Sequence, residues 1–355
     1  MRFQKAFHHL FTLLSLSFLL LSPQLFAEGR REGESRGAAS GKALSIAVFV
    51  PGVLSGSPIY EMLAQGVQKA ADEASGVRVK VVEGGFNQAE WETKLTSLAA
   101  SRAYDLIVSS NPAIPALCAN VSKNFPNQQF LLLDGELAGN PSIYTLRYNQ
   151  REQAYLAGHL AALVSKDGLE KRKSSLRLGL VAGQEYPAMN GIILPGFKEG
   201  ARAVDPEMDV DFRVVGNWFD AAKGTELASS MIRDGVSVIL AIAGGANQGV
   251  LQAASEAKAY VVWFDIDGYS LRPGTVAGSA VIHQDMAAYE QVKRYLAGTL
   301  PFGSSEIVGV ADGYVDFLED NDSYRSTVNE SIRFKQSELI KKMKSGELKL
   351  SDKAK

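Results

Sequence analysis

Apolar residues along this chain gather in short runs, and most runs end in glycine or in a small polar side chain. One continuous run, 238–243, is followed by two glycines and, after an alanine, by two amides. Continuous apolar runs bounded by turn residues indicate strands buried on both faces, as in parallel sheets. Further predicted strands lie at 44–50, 77–82, 106–108, 130–133, 142–146, 176–182, 210–215, 260–264 and 275–282.

Segments with helical spacing separate most of these strands. Between residues 60 and 73, for example, apolar residues recur every three or four positions, which is the spacing of one helix face. The strand–helix order runs through the chain twice, and we interpret a charged segment at 165–175 as a hinge. Two successive βαβαβ units predict an α/β protein with two doubly wound lobes. The predicted N-terminal lobe is 43–147 with 283–310, and the C-terminal lobe is 148–282 with 311–350.

Polar residues stand where several of the predicted strands end. They are Asn111, Asp134, Asp265 and the loop residues Gly244, Asn247 and Gln248. Ligands bind at the carboxyl ends of strands in open α/β sheets, so this arrangement predicts a cleft for a small molecule. Asp134, Asp265 and Asn247 also suit the helix N-cap position, which leaves a purely structural role open for each of them.

The first 42 residues have the composition of a secretion signal followed by a tether. Arg2 and Lys5 precede a mostly apolar run, 10–21, and small residues follow it up to Ala27. This order is typical of a signal peptide, and about 12 residues are too few for a membrane span of about 20. We expect cleavage after Ala27, a flexible tether at 28–42 and a periplasmic protein. An uncleaved membrane anchor is the alternative. A lipid anchor is not expected, because there is no cysteine near this segment.

Composition excludes several classes of function. The net charge of −2 gives no electrostatic basis for binding nucleic acid. The single cysteine, Cys118, rules out an internal disulfide and a site made of cysteines alone. The four histidines include no pair with the spacing of metal ligands. We therefore expect neither a metal nor a cofactor.

Motifs of common enzymes are missing or misplaced. The only Gly-x-Ser-x-Gly string, at 33–37, lies in the predicted tether with no strand before it. The glycines at 244–249 do not follow the Gly-x-Gly-x-x-Gly fingerprint. Asp265 and Asp267 form a carboxylate pair without an accompanying nucleophile. The sequence thus predicts a binding protein rather than an enzyme, with a hydrolase of nucleosides or flavins as the alternative of another class.

Several short segments carry a resemblance to a known family. They are Gln65-Gly66-Val67, Phe130 to Asp134, Tyr155 to Gly158, Gly196 to Gly200 and Ala243 to Val250, followed by Asp265 and Asp267. In this order the chain resembles the basic-membrane-protein family of bacterial substrate-binding lipoproteins, which includes purine-nucleoside receptors. The resemblance implies a type I periplasmic binding fold. It also implies a partner permease, driven by ATP, in the inner membrane.

Departures from the family pattern suggest a ligand with a larger ring. By resemblance, Tyr60 stands where the nucleoside receptors have an amide, Trp218 matches a stacking phenylalanine and His283 matches a lysine, while Asp265 retains the sugar-binding carboxylate. Two larger rings suit a wide flat heterocycle, and the chain resembles the riboflavin-uptake members of the family. We expect Tyr60 and Trp218, or its neighbour Phe219, to enclose the ring of riboflavin, which would be the transported ligand. A purine nucleoside is the alternative.

Overall fold

The strands of the computed structural model, which describes residues 43–167 and 175–352, form two six-stranded sheets. In spatial order the first sheet contains β11 (Ser305–Val308), β5 (Ile143–Tyr148), β4 (Gln129–Leu133), β3 (Leu106–Ser110), β1 (Leu44–Val50) and β2 (Val77–Glu83). The second contains β12 (Val315–Phe317), β10 (Val276–Ile282), β9 (Tyr260–Asp265), β8 (Val238–Ile242), β6 (Arg177–Ala182) and β7 (Asp209–Val214). Neighbouring strands are parallel, except that β12 runs antiparallel to β10. The predicted signal and tether lie outside the described residues.

The two sheets repeat one strand order. The order β2-β1-β3-β4-β5 in the first matches β7-β6-β8-β9-β10 in the second. The ends of β4 and β9 therefore occupy equivalent places in the two halves. This topology confirms the predicted α/β fold with two doubly wound sheets, since each sheet changes winding direction beside its first strand.

Helices cover the faces of both sheets. They are α1 (Pro58–Asp72), α2 (Trp91–Ser101), α3 (Ile114–Asn124), α4 (Gln150–Asp167), α5 (Leu194–Val204), α6 (Ala221–Arg233), α7 (Asn247–Glu256), α8 (Gln284–Leu296), α9 (Asp322–Thr327) and α10 (Glu330–Lys344). On one face of the first sheet, α2 and α3 enclose a core around Phe49, Trp91 and Phe130. Cys118 of α3 is fully buried there.

The helix pair α4–α5 approaches so closely that glycine is required at the contact. A Cβ atom on Gly158 of α4 would lie 2.1 Å from the carbonyl oxygen of Phe197 in α5. A Cβ atom on Gly200 of α5 would lie 2.1 Å from the carbonyl oxygen of Tyr155. Both distances are far below van der Waals contact. The small residues of this region therefore allow two backbones to touch.

The charged segment at 165–175 is not the hinge between the halves. Helix α4 before it packs on β8 and β10, and β6 after it belongs to the same second sheet. The hydroxyl of Ser165 donates to the carbonyl oxygen of Ser175 at 2.7 Å, so the two ends of the segment meet. The chain passes from the first sheet to the second earlier, between Tyr148 and Gln150. The hinge prediction was wrong because a charged composition does not by itself show where the chain passes from one sheet to the other.

The segment 350–352 is bound to this crossover. The carbonyl oxygen of Leu350 accepts a hydrogen bond of 2.8 Å from Asn149, and Ser351 accepts from Arg151 at 3.0 Å. The side chain of Asp352 pairs with Arg147 of β5. The end of the described chain thus holds residues that lie on either side of the passage between the sheets.

Helix α10 offers a test of local stabilisation. The side-chain oxygen of Asn329 accepts a hydrogen bond of 3.0 Å from the amide of Ile332 and caps this helix. We expect Asn329→Ala to lower the free energy of unfolding by about 1 kcal/mol, because a first-turn amide loses its partner. Urea titration monitored by circular dichroism would measure this change in the free energy of unfolding. Asn329→Asp, which preserves the cap, should lie within about 0.5 kcal/mol of the wild type.

Candidate functional site

Two aspartates at equivalent strand ends mark the place where the halves meet. Asp134 follows β4 of the first sheet and Asp265 ends β9 of the second. Both adopt left-handed backbone conformations, with φ of 53° and 72°. Non-glycine residues in this region are uncommon, and such strain concentrates at functional sites. The space between these two carboxylates is called the cleft below.

Neither aspartate caps a helix. No helix separates β4 from β5 in the described chain, so Asp134 has no helix start to cap. After β9 the N-cap of the next helical turn is Gly268, and the carboxylate that accepts a hydrogen bond there is Asp267, from the amide of Tyr269 at 2.9 Å. The N-cap alternative for Asp134 and Asp265 is therefore excluded. It does not apply to Asn247 either, because Asn247 is the first residue of α7 and its side chain bonds the preceding loop instead of a first-turn amide of the helix.

The cleft carboxylates are hard to ionise together. Burial raises the pKa of Asp134 to about 8, and the negative charge of Asp265 adds to the rise, while Arg147 opposes it. Burial raises the pKa of Asp265 to about 6, and a hydrogen bond from Gln153 lowers it again. When Asp265 ionises first, its charge keeps the proton on Asp134. Near neutral pH the cleft thus presents one carboxylate and one carboxylic acid.

Two glutamines in the first turn of α4 hold these carboxylates. Nε2 of Gln150 donates to Oδ1 of Asp134 at 3.3 Å, and Nε2 of Gln153 donates to Oδ1 of Asp265 at 3.1 Å. Residues three apart lie on one helix face. The first turn of α4 therefore binds Asp134 of the first half and Asp265 of the second half at the same time. Sequence reasoning missed Gln153. The only signal was the three-residue spacing of two glutamines at a helix start.

Tyr60 and Asn111 form the wall of the cleft in the first half. Nδ2 of Asn111 lies 3.5 Å from the hydroxyl oxygen of Tyr60, to which it donates. Burial raises the pKa of Tyr60 to about 12, and the nearby Asp134 adds to this. The structure therefore brings three predicted site residues, Tyr60, Asn111 and Asp134, into one neighbourhood. Tyr60 also lies beside Gly52, whose added Cβ would be 3.4 Å from its ring.

Trp218 and Tyr186 form the aromatic wall of the second half. The ring centroids of these residues are 6.1 Å apart with the planes tilted by 47°. Nε1 of Trp218 donates to Oε1 of Gln184 at 2.9 Å. Burial raises the pKa of Tyr186, and both cleft carboxylates raise it further. Tyr186, which sequence reasoning missed, thus packs near Trp218 and lies close enough to both aspartates to feel their charge.

The loop after β8 supports Trp218 through its backbone. The amide of Gly245 donates to the carbonyl oxygen of Trp218 at 2.8 Å. Gly244 has φ of 58°, and a Cβ there would lie 2.8 Å from that same oxygen. Asn247 is buried and bonds its own loop, since its Oδ1 accepts from the amide of Ala243 at 2.7 Å. Its contact with a ligand stays a prediction, whereas its role in closing the loop is observed.

The remaining predicted residues are Phe219, Gln248 and His283, which form no hydrogen bond with the cleft carboxylates in the described part of the chain. Phe219 is 75% exposed, next to Trp218. Gln248 is exposed in the first turn of α7. His283 precedes α8, and its Nε2 lies 3.9 Å from Oδ2 of Asp316. These three residues stay predictions, because the contacts that join the cleft carboxylates do not include them.

Two surface depressions of the described chain are lined by residues other than the cleft carboxylates. A surface depression of about 410 Å³ lies between α1 and α8, and one of about 390 Å³ lies beside Asp267 and Lys344. Within 43–167 and 175–352, no three His, Cys, Asp or Glu side chains are grouped as metal ligands would be. None of the helices in these ranges has the length and apolar character needed to cross a membrane.

Comparison with known proteins agrees with this architecture. Residues 43–349 match the model of the Bmp family, described as ABC transporter substrate-binding protein PnrA-like. The chain is 30% identical to basic membrane protein D of Borreliella burgdorferi over 227 residues, 61% of this chain and 62% of the relative. It is 28% identical to the ABC transporter nucleoside-binding protein BmpA of Lactococcus lactis over 173 residues, 49% of this chain and 46% of the relative.

A solved structure gives the same fold. The ABC transporter solute-binding protein of Aeropyrum pernix K1 superposes with a TM-score of 0.74 over 88% of this chain and 94% of its own, at 22% identity. The matched family consists of substrate-binding proteins, which confirms the prediction that the chain is not an enzyme. With nearly the whole described length matched, the chain belongs to the Bmp family of PnrA-like ABC transporter substrate-binding proteins.

Proposed function

We propose that this protein works outside the cytoplasm as the receptor of an ABC importer and binds a nucleoside-like molecule, a flat ring joined to a hydroxylated sugar or chain. The observation that carries the proposal is the cleft itself, where the first turn of α4 binds both Asp134 and Asp265. Tyr60 lies near Asp134, and Tyr186 lies near both acids. A membrane permease that receives the ligand is the expected partner. The predicted signal peptide supports a periplasmic location.

The two acids suit different parts of such a ligand. Asp265, which ionises first, is an acceptor for hydroxyl groups of a sugar. Asp134 keeps its proton to higher pH and can both donate and accept. A group of this kind matches the polar edge of a heterocycle, where ring nitrogens and carbonyl oxygens alternate. The aromatic walls then pack against the faces of the ring.

Charge favours an uncharged ligand over a phosphorylated one. The buried charges of the cleft are acidic, and a phosphate would be repelled by them. The nearby arginines are already paired: Arg147 with Asp352 and Arg151 with Glu199, at 2.7 Å for the second pair. Arginine and helix N-termini are the usual partners of buried phosphates. We therefore expect the free nucleoside or free flavin to bind more tightly than its phosphate.

Between the two ligand classes, a nucleoside is the first candidate and riboflavin the second. A named relative in Lactococcus is a nucleoside-binding protein, which supports the first. The large rings of Trp218 and Tyr186 support the second, because stacking grows with ring overlap. A visible spectrum of the purified protein separates them, because bound riboflavin is yellow. Release of a purine on denaturation would favour the nucleoside, and turnover of either molecule would contradict a transport receptor.

Trp218 gives a direct test of the aromatic wall. We expect Trp218→Ala to weaken binding of the ligand by about 1–3 kcal/mol, the scale of base–aromatic stacking. Trp218→Phe is the matched control, because it keeps a stacking face and loses only ring area and the bond to Gln184. Isothermal titration calorimetry would measure both variants. Equal affinity in the wild type and Trp218→Ala would remove Trp218 from the site.

A further inference from the structure

The side chain of Gln153 in α4 reaches the cleft with its amide group. Nε2 donates to Oδ1 of Asp265 at 3.1 Å and to the carbonyl oxygen of Ala280 at 3.0 Å. Both hydrogens of the amide are therefore used. A flipped amide would turn its oxygen towards a carboxylate and a carbonyl, which are acceptors. The orientation of the side chain follows from its partners.

The amide oxygen of Gln153 has no such partner. Gln153 is completely buried, and within 43–167 and 175–352 no donor reaches its Oε1. Leaving a buried acceptor unsatisfied is unfavourable, and native structures rarely do so without a reason. The orphaned oxygen sits on the side chain that also binds the cleft carboxylate Asp265.

Two other glutamines show what a structural role looks like in this fold. Gln284 and Gln336 are also completely buried. Oε1 of Gln284 accepts from the hydroxyl of Tyr148 at 3.1 Å, and Oε1 of Gln336 lies 2.7 Å from Nδ1 of His159. Their Nε2 atoms donate to backbone carbonyl oxygens at 3.1 Å. Both ends of these amides are thus satisfied by the protein, whereas Gln153 satisfies only one.

We propose that Oε1 of Gln153 accepts a hydrogen bond from the ligand and, together with Asp265, recognises two adjacent hydroxyl groups. One hydroxyl donates to the carboxylate of Asp265, and its neighbour donates to the amide oxygen. The ligand class is a molecule with a vicinal diol, such as a ribonucleoside or a flavin with its polyhydroxy chain. This inference rests on the proposed function and names the group that the site selects.

A diol is the fitting class because the two acceptors belong to one hydrogen-bonded unit. Gln153 holds the orientation of Asp265 and places its own oxygen beside it. A ligand with one hydroxyl satisfies only one of the two acceptors. Removing a hydroxyl leaves a buried acceptor without a donor, which weakens binding by about fivefold or more at the amide oxygen and by about tenfold or more at the charged Asp265. The pair therefore discriminates ribose from deoxyribose.

The test combines changes in the protein with changes in the ligand. Calorimetry gives the affinities of adenosine, 2′-deoxyadenosine and 3′-deoxyadenosine for the wild type, Gln153→Met and Gln150→Met. Gln150 is the matched control, since it lies one turn away on α4 and binds Asp134 instead. If riboflavin alone binds, analogues lacking single hydroxyls of its chain replace the nucleosides. Such a cycle isolates the contact from general damage to the site.

The expected result is specific to one hydroxyl. In Gln153→Met, one of the two deoxy compounds should bind within about twofold of adenosine, while the other keeps its penalty through Asp265. In Gln150→Met both penalties should persist. A role limited to holding Asp265 would lower all three affinities by one factor, and that result, with both penalties intact in Gln153→Met, would overturn the inference.

The remaining outcomes are also decisive. If Gln153→Met does not fold, a crystal structure of the wild type with its ligand decides. A ligand hydroxyl within 3.2 Å of Oε1, a normal hydrogen-bond distance, supports the inference, and a protein or water donor at that oxygen overturns it. If the wild type binds neither adenosine nor riboflavin, the proposed function fails and the inference fails with it. Binding without loss of discrimination rejects only the inference.

Discussion

Replacing Asp265 with alanine is expected to weaken ligand binding by about 3 kcal/mol or more, at least a hundredfold, because hydrogen bonds to a charged acceptor contribute about 1.5–3 kcal/mol each. Asp265 lies at the end of β9 in a left-handed conformation and is oriented by Gln153. A sugar or polyhydroxy chain offers it more than one hydroxyl. No other described carboxylate has this position in the second half.

The matched control for Asp265 is Asp267, two residues further on. Its side chain is exposed and accepts a hydrogen bond from the amide of Tyr269. Asp267→Ala should leave affinity within about twofold. Asp265→Asn keeps the shape of the side chain and imitates its protonated state. Affinity of the wild type should therefore fall as the pH drops through about 6, the pKa of this group. Tight binding by Asp265→Ala would contradict the assignment.

Asp134 controls the second large effect, which concerns stability. Its pKa is raised from 3.8 to about 8 in the folded protein. Between these values the folded state binds the proton and the unfolded state does not, so the free energy of unfolding falls as the pH rises. This stabilisation is complete below about pH 4 and is lost as the pH approaches 8. At about 1.4 kcal/mol per pH unit, the upper limit is roughly 6 kcal/mol.

Asp134→Asn removes this dependence on pH. We expect the variant to exceed the wild type in free energy of unfolding by about 3 kcal/mol at pH 8.5, and to match it near pH 4. The expected effect is half the limit because the side chain keeps some exposure to solvent, which screens the charge. Asparagine can still accept the bond from Gln150. Urea titrations at both pH values would measure the difference.

A surface variant controls for loss of charge alone. Asp72 is exposed and accepts a hydrogen bond from Gln68 in α1, so Asp72→Asn keeps the same kind of contact. It should change the free energy of unfolding by less than about 0.5 kcal/mol. If Asp134→Asn behaves in the same way at pH 8.5, the carboxylates do not compete for a proton in the free protein. The cleft would then be open and well hydrated in solution.

The sequence predicted the family of the protein but did not establish its ligand. Short segments such as Ala243 to Val250 carried the resemblance that the family match has confirmed. The larger aromatic residues at Tyr60 and Trp218 suggested riboflavin, and that specificity remains a proposal beside the nucleoside. A difference in ligand between relatives depends on a few contacts in a cleft. Those contacts depend on distances that a linear pattern does not contain.

Secondary structure was predictable where a strand or helix is long enough to show its own pattern of apolar residues. Short apolar runs bounded by turn residues, such as 238–243, indicate buried strands, and the structure has β8 there. Short elements escaped prediction for the opposite reason: β11 and β12 have four and three residues, too few for a pattern to emerge. The segments β11 and β12 are strands because they pair with the edges of the two sheets, and their composition alone does not predict this.

The sequence by itself determined the longer strands, most of the helices and the polar residues at the strand ends, because each depends on neighbours along the chain. Only the tertiary structure decided that Asp134 and Asp265 share one cleft, that Asn247 closes its own loop and that Gln153 binds across to β9. These facts depend on how two sheets and one crossover helix pack together. Burial of charge, which sets the chemistry of the cleft, exists only after that packing has occurred.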